Sequence, residues 1–242
     1  MGMRPVIALY STFLQRAYDQ VLHDVCLQNL PVTIAIDRSG IVGADGETHQ
    51  GIYDISYLSS VPGLTIMAPK NRYELSAMME YAVKFEGPVA LKYPRGSAYY
   101  GMKEFHAPIR HGKSELIKKG SKIAVIGVGS MMEQALETCE LLEKEGYSPT
   151  LINARFIKPL DVDMLEELRK NHELIVTMEE NIASGGFGSS VTFWAGQLEN
   201  PVRILPISLP DIYLEHGSVD QLKDRYGLTA EKMAKRIIET LE

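Results

Sequence analysis

The sequence predicts an α/β fold with two domains, each built around a mainly parallel sheet. Short runs of β-branched and aliphatic residues, such as residues 6–10 and 32–36, alternate with longer amphipathic segments. This alternation is typical of βα units. A stretch without regular periodicity, from about residue 97 to residue 120, divides the alternating pattern in two. A chain of 242 residues also has the length of two modest domains.

The first domain is predicted to span residues 1–100. Its strands are expected at residues 6–10, 32–36, 64–68 and 89–93. A helix over residues 13–28 should carry an apolar stripe at helical spacing, consisting of Phe13, Ala17, Val21 and Val25. A second helix is expected over residues 72–85.

A linker over residues 101–119 is predicted to separate the domains, and residues 111–119 within it can form an edge strand. The second domain is predicted to span residues 120–242. Its strands are expected at residues 123–126, 150–153, 174–178 and 202–207. Ser218 and Thr229 are predicted N-caps of two closing helices.

The composition excludes several classes of partner. A formal net charge of −6 argues against binding to nucleic acid or to an anionic membrane surface. No stretch approaches the ~20 apolar residues of a membrane span, and no secretory signal pattern is visible. We therefore expect a cytoplasmic protein. Cys26 and Cys139 lie in predicted helices and are interpreted as buried free thiols.

The segment most typical of a binding site is the glycine-rich loop of residues 38–51, which follows the second predicted strand. In open α/β sheets, ligands bind outside the carboxyl ends of the strands. The polar and aromatic side chains near such ends are Tyr10, Phe13, Arg16, Arg38, Asp45, His49 and Arg95. Arginine forks suit phosphate, and a histidine can transfer a proton near neutral pH. The alternative that each is an ordinary surface group stays open at this point.

Two glycine-rich turns are interpreted as structural. Residues 127–130 follow a strand but lack the third glycine of a dinucleotide fingerprint and the lysine of a P-loop. Residues 185–188 follow the acidic pair Glu179 and Glu180, which favours close helix packing over ligand binding.

Several blocks resemble the 1-deoxy-D-xylulose-5-phosphate synthases. The most specific are YSTFLQRAYDQ at residues 10–20, the pair Asp37-Arg38, and GADGETHQG at residues 43–51. The others are YPRG at 93–96, FIKPL at 156–160, EEN at 179–181, LPD at 209–211 and HG at 216–217. The resemblance runs from about Pro5 to the C-terminus. It implies a pyrimidine-binding domain, here truncated, followed by a transketolase C-terminal domain.

The resemblance also implies a reaction. These transferases use thiamine diphosphate and magnesium to condense pyruvate with glyceraldehyde 3-phosphate, releasing carbon dioxide in the first step of non-mevalonate isoprenoid biosynthesis. By resemblance, Phe13 stacks on the cofactor's aminopyrimidine, with Tyr10 and Arg16 beside it. His49 and Asp45 lie near the reacting carbonyl. Arg38 and Arg95 take the substrate phosphate, with Tyr10 within reach.

Two elements of the family have no counterpart in this sequence. One is the glutamate that contacts the cofactor's pyrimidine, and the other is the magnesium and diphosphate motif of the N-terminal domain. No metal ligands are therefore predicted here, and the chain alone is expected to be inactive and a poor binder of the cofactor. Two alternatives stay open. In the first, the chain is one subunit of a split enzyme that needs an N-terminal partner. In the second, it is a non-catalytic module for dimer assembly.

Overall fold

In the computed structural model, which describes residues 2–242, the chain forms two five-stranded sheets. The strands are β1 (Val6–Tyr10), β2 (Thr33–Asp37), β3 (Thr65–Met67), β4 (Val89–Lys92), β5 (Glu115–Lys118), β6 (Lys122–Gly127), β7 (Thr150–Asn153), β8 (Phe156–Lys158), β9 (His172–Ile182) and β10 (Arg203–Leu209). The first sheet has the order β1-β2-β4-β3-β8, and the second has the order β10-β9-β6-β7-β5. The predicted α/β class and the two mainly parallel sheets are confirmed, because only β3–β8 and β5–β7 pair antiparallel.

Eight α-helices connect and cover the strands. They are α1 (Ser11–Leu14), α2 (Asp54–Ser59), α3 (Arg72–Lys84), α4 (Met131–Lys144), α5 (Val162–Asn171), α6 (Phe187–Gly196), α7 (Val219–Arg225) and α8 (Ala230–Leu241). Ser218 caps α7 in a full capping box with Gln221, as its sequence position predicts. Thr229 occupies the N-cap of α8, but its hydroxyl makes no capping hydrogen bond. Among the residues described, no helix is both long and apolar enough to cross a lipid bilayer.

The predicted helix over residues 13–28 is wrong in its internal geometry. The backbone is helical, but α1 passes through a 3₁₀ turn into a π-helical segment at Gln20–Cys26. A π-turn places residues five apart on the same side, so Val21 and Cys26 are both buried. Leu14 faces inward instead of the predicted Phe13, whose side chain is 47% exposed. Phe13 therefore lies at the surface, in α1 ahead of the π-helical segment, and not in a buried stripe.

Of two edge strands, β5 agrees with the sequence pattern, whereas β8 links the halves of the chain in a way that local patterns do not reveal. β5 falls in the segment predicted to be able to form an edge strand, and it is the edge of the second sheet. β8 lies far along the chain but adds to β3, at the edge of the first sheet. The domain limits at residues 100 and 120 stay a prediction.

The hydrophobic core is also continuous between the two sheets. Ile34 and Ile66 of the first sheet belong to the same buried cluster as Ile126 and Ile175 of the second. Cys26 lies in this cluster and Cys139 in the neighbouring one, and both are buried free thiols, as predicted. Burial raises the pKa of the Cys26 thiol to about 11 and that of Cys139 to about 12, so both remain protonated at neutral pH.

A buried ionic cluster joins the two halves. Lys70 and Glu74 come from the first half, whereas Glu115 and Arg155 come from the second. The Lys70 Nζ lies 2.9 Å from Oε1 of Glu74 and 2.7 Å from Oε2 of Glu115. Arg155 contacts the same two carboxylates at 2.7 and 2.8 Å. Each of the four side chains is at most 4% exposed, so each charge depends on the others for its stabilisation.

Glu115 shows how strongly this cluster favours the ionised state. Burial alone raises the pKa of its carboxyl group. The hydrogen bond from Lys70 and the charge of Arg155 outweigh that effect and hold the pKa below the ordinary value of a glutamate. The amide of Asn153 adds further hydrogen bonds to Glu74 and Glu115.

Replacing Lys70 by methionine should strongly destabilise the fold. Lys70→Met leaves two buried carboxylates facing a single arginine, so we expect a loss of about 3–5 kcal/mol in the free energy of unfolding. The matched control is Lys84→Met, which removes the exposed pair with Glu80 and should cost less than about 1 kcal/mol. Chemical denaturation of both variants measures the difference. Equal losses for the two variants would contradict the assigned role of the cluster.

Candidate active site

Three of the predicted site residues lie at the carboxyl ends of adjacent strands in the first sheet. β1, β2 and β4 are parallel neighbours, so their carboxyl ends lie side by side. Tyr10 ends β1, Arg38 follows β2, and Arg95 comes three residues after β4. These strand ends therefore lie together in the fold, as the sequence predicts and as in other open α/β sheets.

Asp45 bridges the two arginines. Its Oδ2 lies 2.6 Å from Nη1 of Arg38, and its Oδ1 lies 2.9 Å from Nη1 of Arg95. One carboxylate thus holds two guanidinium groups close together, which their mutual repulsion would otherwise oppose. Arg38 and Asp45 are about a quarter exposed and Arg95 is 43% exposed, so the group is open to solvent on one side.

An aromatic row continues from this ion pair. The Arg38 guanidinium lies 4.1 Å from the centre of the Tyr10 ring, in cation–π geometry. Tyr10 stacks on Phe13, with ring centres 5.1 Å apart and planes inclined by 28°. Phe13 in turn meets the His49 ring edge-on at 6.0 Å. Contacts therefore connect six of the seven predicted residues in one continuous series.

Arg16 is the exception. It is exposed in the 3₁₀ turn after α1, and within residues 2–242 it makes no ion pair or hydrogen bond with the other site residues. His49 uses its Nδ1 to contact the Thr48 hydroxyl at 2.9 Å. Its Nε2 makes no hydrogen bond within the described part of the chain and is available to a ligand.

A cavity of about 450 Å³ opens beside the arginines, between the two halves of the chain. The first half contributes Arg38, Arg95 and also Arg72, the first residue of α3. The second half contributes side chains that sequence reasoning did not assign to the site, namely Ser130, Glu133, Glu180, Val219 and Lys223. Ser130 and Glu180 come from the carboxyl ends of β6 and β9, so strand ends of both sheets line this space. For these residues of the second half, the one sequence signal of a site role is that Glu180 closely follows the strand predicted at residues 174–178.

The glycines of both glycine-rich turns pack closely against neighbouring residues, and Ser130 of the first turn also lines the cavity. Gly129 has a φ of 56° and packs against Ala68, so a Cβ there would come within 3.1 Å of the alanine side chain. Gly186 leaves space for the Glu179 carboxylate at the start of α6, because a Cβ there would come within 2.7 Å of both carboxylate oxygens. That carboxylate accepts hydrogen bonds from the backbone N–H groups of Phe187 at 2.8 Å and Gly188 at 2.7 Å. The helix N-terminus is thus occupied by an internal side chain.

The described residues offer no preformed metal centre. Among residues 2–242 there is no group of three or more histidine, cysteine, aspartate or glutamate side chains that could hold a metal ion. Two acidic residues at the site already pair with basic side chains, Asp45 with Arg38 and Arg95, and Glu180 with Lys223 at 2.7 Å.

Comparison with known proteins defines the class. Residues 1–99 match the pyrimidine-binding domain of transketolase, and residues 112–233 match the transketolase C-terminal domain. A solved split-gene transketolase, described as an inactive β4 tetramer, shares 26% identity with a TM-score of 0.88 and covers 98% of this chain and 76% of its own. A transketolase from Campylobacter jejuni shares the fold at 17% identity and a TM-score of 0.79, over 98% of this chain and 36% of its own. The chain therefore belongs to the transketolase family.

Within that family, the chain is homologous to the C-terminal portion of 1-deoxy-D-xylulose-5-phosphate synthase. The synthase of Lachnoclostridium phytofermentans is 52% identical over 237 residues, which are 98% of this chain and 38% of the relative. The synthase of Dictyoglomus thermophilum is 47% identical over 242 residues, which are 100% of this chain and 39% of the relative. The chain thus spans less than two fifths of the length of these relatives.

Glu179 should make stability depend on pH. Burial raises the pKa of Glu179 to about 7, although the two backbone N–H groups act in the opposite direction. The folded state therefore retains a proton that the unfolded chain releases near pH 4.5, so this contribution to stability is lost as pH rises from about 5 through 7. Glu179→Gln removes the titration. As pH rises over that range, the free energy of unfolding of Glu179→Gln should therefore increase by about 3 kcal/mol relative to that of the wild type.

Thermal unfolding from pH 4.5 to pH 8 measures this shift. Glu173→Gln changes an exposed carboxylate on the same strand and serves as the control. Its stability difference from wild type should stay constant with pH. A constant difference for Glu179→Gln as well would show that Glu179 does not titrate in this range.

Proposed function

We propose that this chain forms the pyrimidine-binding and acceptor-phosphate part of a 1-deoxy-D-xylulose-5-phosphate synthase. The observation that carries the proposal is the Asp45 bridge, which holds Arg38 and Arg95 together at the entrance of the cavity. Two guanidinium forks at this spacing suit the oxygen atoms of a phosphate group. The substrate class is therefore a short phosphorylated aldehyde, glyceraldehyde 3-phosphate in the synthases.

The aromatic row supports binding of thiamine diphosphate through its pyrimidine end. Phe13 is an apolar ring that the local backbone turns outward instead of burying, which fits a stacking surface for a flat heterocycle. Tyr10 backs the Phe13 ring, and Arg16 lies exposed on the following turn. When bound, this cofactor supplies the carbon nucleophile that takes up pyruvate with loss of carbon dioxide.

The remaining residues have roles in holding and orienting the substrates. Arg38 and Arg95 bind the phosphate of the acceptor, and Tyr10, whose ring lies against the Arg38 guanidinium, is within reach of it. His49, whose Nε2 is free of hydrogen bonds to residues 2–242, donates a hydrogen bond or a proton at the carbonyl oxygen of the acceptor. Asp45 keeps the arginines in place and thereby sets the distance between the phosphate and the carbonyl.

We further propose that turnover requires polypeptide beyond these residues to anchor the diphosphate and magnesium, and that the assembly is a dimer or larger. The homologous synthases are more than twice as long, and the similar solved structure is a split-gene transketolase described as an inactive tetramer. The edge strand β1 presents Val6 and Ile7, each more than 40% exposed, as an apolar edge suited to association. Light scattering that finds only a 27.0 kDa particle at every concentration would refute self-association.

Phosphate recognition can be tested on the chain itself. Glycerol 3-phosphate is an unreactive ligand with the same phosphate and chain length, and its affinity is measurable by calorimetry. Arg38→Gln and Arg95→Gln should each weaken binding at least tenfold, because each removes charge-assisted hydrogen bonds worth about 1.5–3 kcal/mol. Arg110→Gln is the control, since Arg110 is exposed and does not line the cavity.

The outcome distinguishes the site from general electrostatics. If all three variants weaken binding equally, the ligand responds only to net charge. If wild type does not bind glycerol 3-phosphate at millimolar concentration, the acceptor-phosphate assignment is wrong for this chain. Addition of thiamine diphosphate, magnesium, pyruvate and glyceraldehyde 3-phosphate to the chain alone should yield no deoxyxylulose phosphate.

A further inference from the structure

The loop that carries the candidate site, residues 38–51, is closed upon itself. Gly40 and Gly51 exchange two backbone hydrogen bonds of 2.7 and 2.9 Å at its base. Inside the loop, the Gln50 side chain accepts hydrogen bonds from the backbone N–H groups of Val42 at 2.8 Å and Gly43 at 3.2 Å. These hydrogen bonds tie the two ends of the loop together, so the contacts at this closed base bear on the position of the whole loop.

The second half of the chain holds that base. Ile41 lies within the loop and Ile52 directly follows it. Both are buried in the hydrophobic cluster of the second sheet together with Leu209 and Leu222. The Ile52 carbonyl accepts a hydrogen bond of 3.0 Å from the backbone N–H of Ile182. A domain that supplies no predicted site residue thus surrounds the loop that supplies three of them.

Glu180 is the polar contact at the centre of this arrangement. Its Oε2 lies 3.4 Å from the backbone nitrogen of Ile41 and 3.4 Å from the Ser130 hydroxyl. Its Oε1 pairs with Nζ of Lys223 at 2.7 Å, and only 6% of its side chain is exposed. Both oxygens are therefore engaged, one with the loop and its neighbour and the other with α7.

The backbone at Gly40 is shaped to this carboxylate. Gly40 has a φ of 80°, which favours glycine, and a Cβ at this position would overlap Oε2 of Glu180. Gly40 is two residues from Arg38, whose own φ is 57°. Only Ser39 separates Gly40 from Arg38, the residue that Asp45 holds beside Arg95.

We propose that Glu180 is a positioning residue for the acceptor-phosphate subsite. It acts through the backbone of Gly40 and Ile41 and sets the placement of Arg38 and Asp45. The proposal rests on the proposed function for the identity of the ligand, but the positioning itself is measurable without any ligand. Glu180 touches no phosphate in this account.

The first experiment compares Glu180→Ala with Glu180→Gln. The alanine variant removes the contact to Ile41, whereas the glutamine variant keeps an acceptor of the same length. Hydrogen exchange should accelerate at least tenfold in peptides covering residues 40–51 of Glu180→Ala, and less in Glu180→Gln. Glycerol 3-phosphate affinity should fall at least fivefold in the alanine variant and be partly restored in the glutamine variant. Glu166→Gln, which breaks a half-exposed pair with Arg169, is the control and should change neither quantity.

The second experiment tests the contact between Gly40 and Glu180 directly. Gly40→Ala should weaken glycerol 3-phosphate binding about tenfold in the wild-type background. The positive φ strains an alanine in either background, so the contact is reported by the difference between the two costs. In the Glu180→Ala background the methyl group no longer meets the carboxylate, and the same substitution should cost at least threefold less. Equal costs in both backgrounds would overturn a direct contact.

The two proposals fail in different ways. If loop exchange in Glu180→Ala matches wild type, the positioning role is wrong, whatever the ligand data show. If loop exchange rises but no variant, including wild type, binds glycerol 3-phosphate, the phosphate assignment fails and Glu180 positions the loop for another ligand. A global loss of protection, beyond residues 40–51, would identify Glu180 as a general stability residue and overturn its specific role.

Discussion

The buried ionic cluster of Lys70, Glu74, Glu115 and Arg155 is the interaction on which the arrangement of the two sheets depends. Removing one of its charges leaves the others without a partner in a buried environment, so the cluster favours the placement in which all four side chains meet. Lys70 follows β3 and Arg155 immediately precedes β8, which pair in the first sheet. The cluster therefore lies beside the one strand contact that carries the second half of the chain into the first sheet. Fixed in this way, strand ends of both sheets line the same cavity.

Around that cavity the chain keeps charges in matched sets. Asp45 pairs with Arg38 and Arg95, and Glu180 pairs with Lys223. The first set is partly exposed and carries one excess positive charge, which suits an incoming anion. The second set is buried and balanced, which suits a fixed support. The difference in exposure fits the proposed division between groups that meet a ligand and groups that hold the backbone.

Much of the fold and part of the site could be predicted from the sequence. Buried β-branched runs and the rule that ligands bind at strand ends led to Tyr10, Arg38 and Arg95, because both depend on local patterns. The helix after β1 was predicted with the wrong period, since the π-helical segment has no signal in a 3.6-residue pattern. Glu180 was recognised only as part of an acidic motif. Its partner Ile41 lies 139 residues away, and no pattern within either segment encodes that contact.

β8 illustrates the same limit. Three residues, Phe156–Lys158, cross to the first sheet and pair antiparallel with β3. Their composition suits a strand in either sheet, and only the tertiary packing decides between them. The roles of Asp45 and His49 likewise stay predictions, because geometry places them beside the arginines and the aromatic row without showing a substrate.

We propose that the Asp45 carboxylate holds Arg38 and Arg95 in place for a phosphate, on a loop held by the second domain. A crystal structure of this chain with glycerol 3-phosphate tests it most directly. We expect a phosphate group within hydrogen-bonding distance of both Arg38 and Arg95, with the Ile41 N–H still facing Glu180. A phosphate bound elsewhere, or a loop of residues 38–51 detached from Glu180 while the ligand is in place, would contradict it.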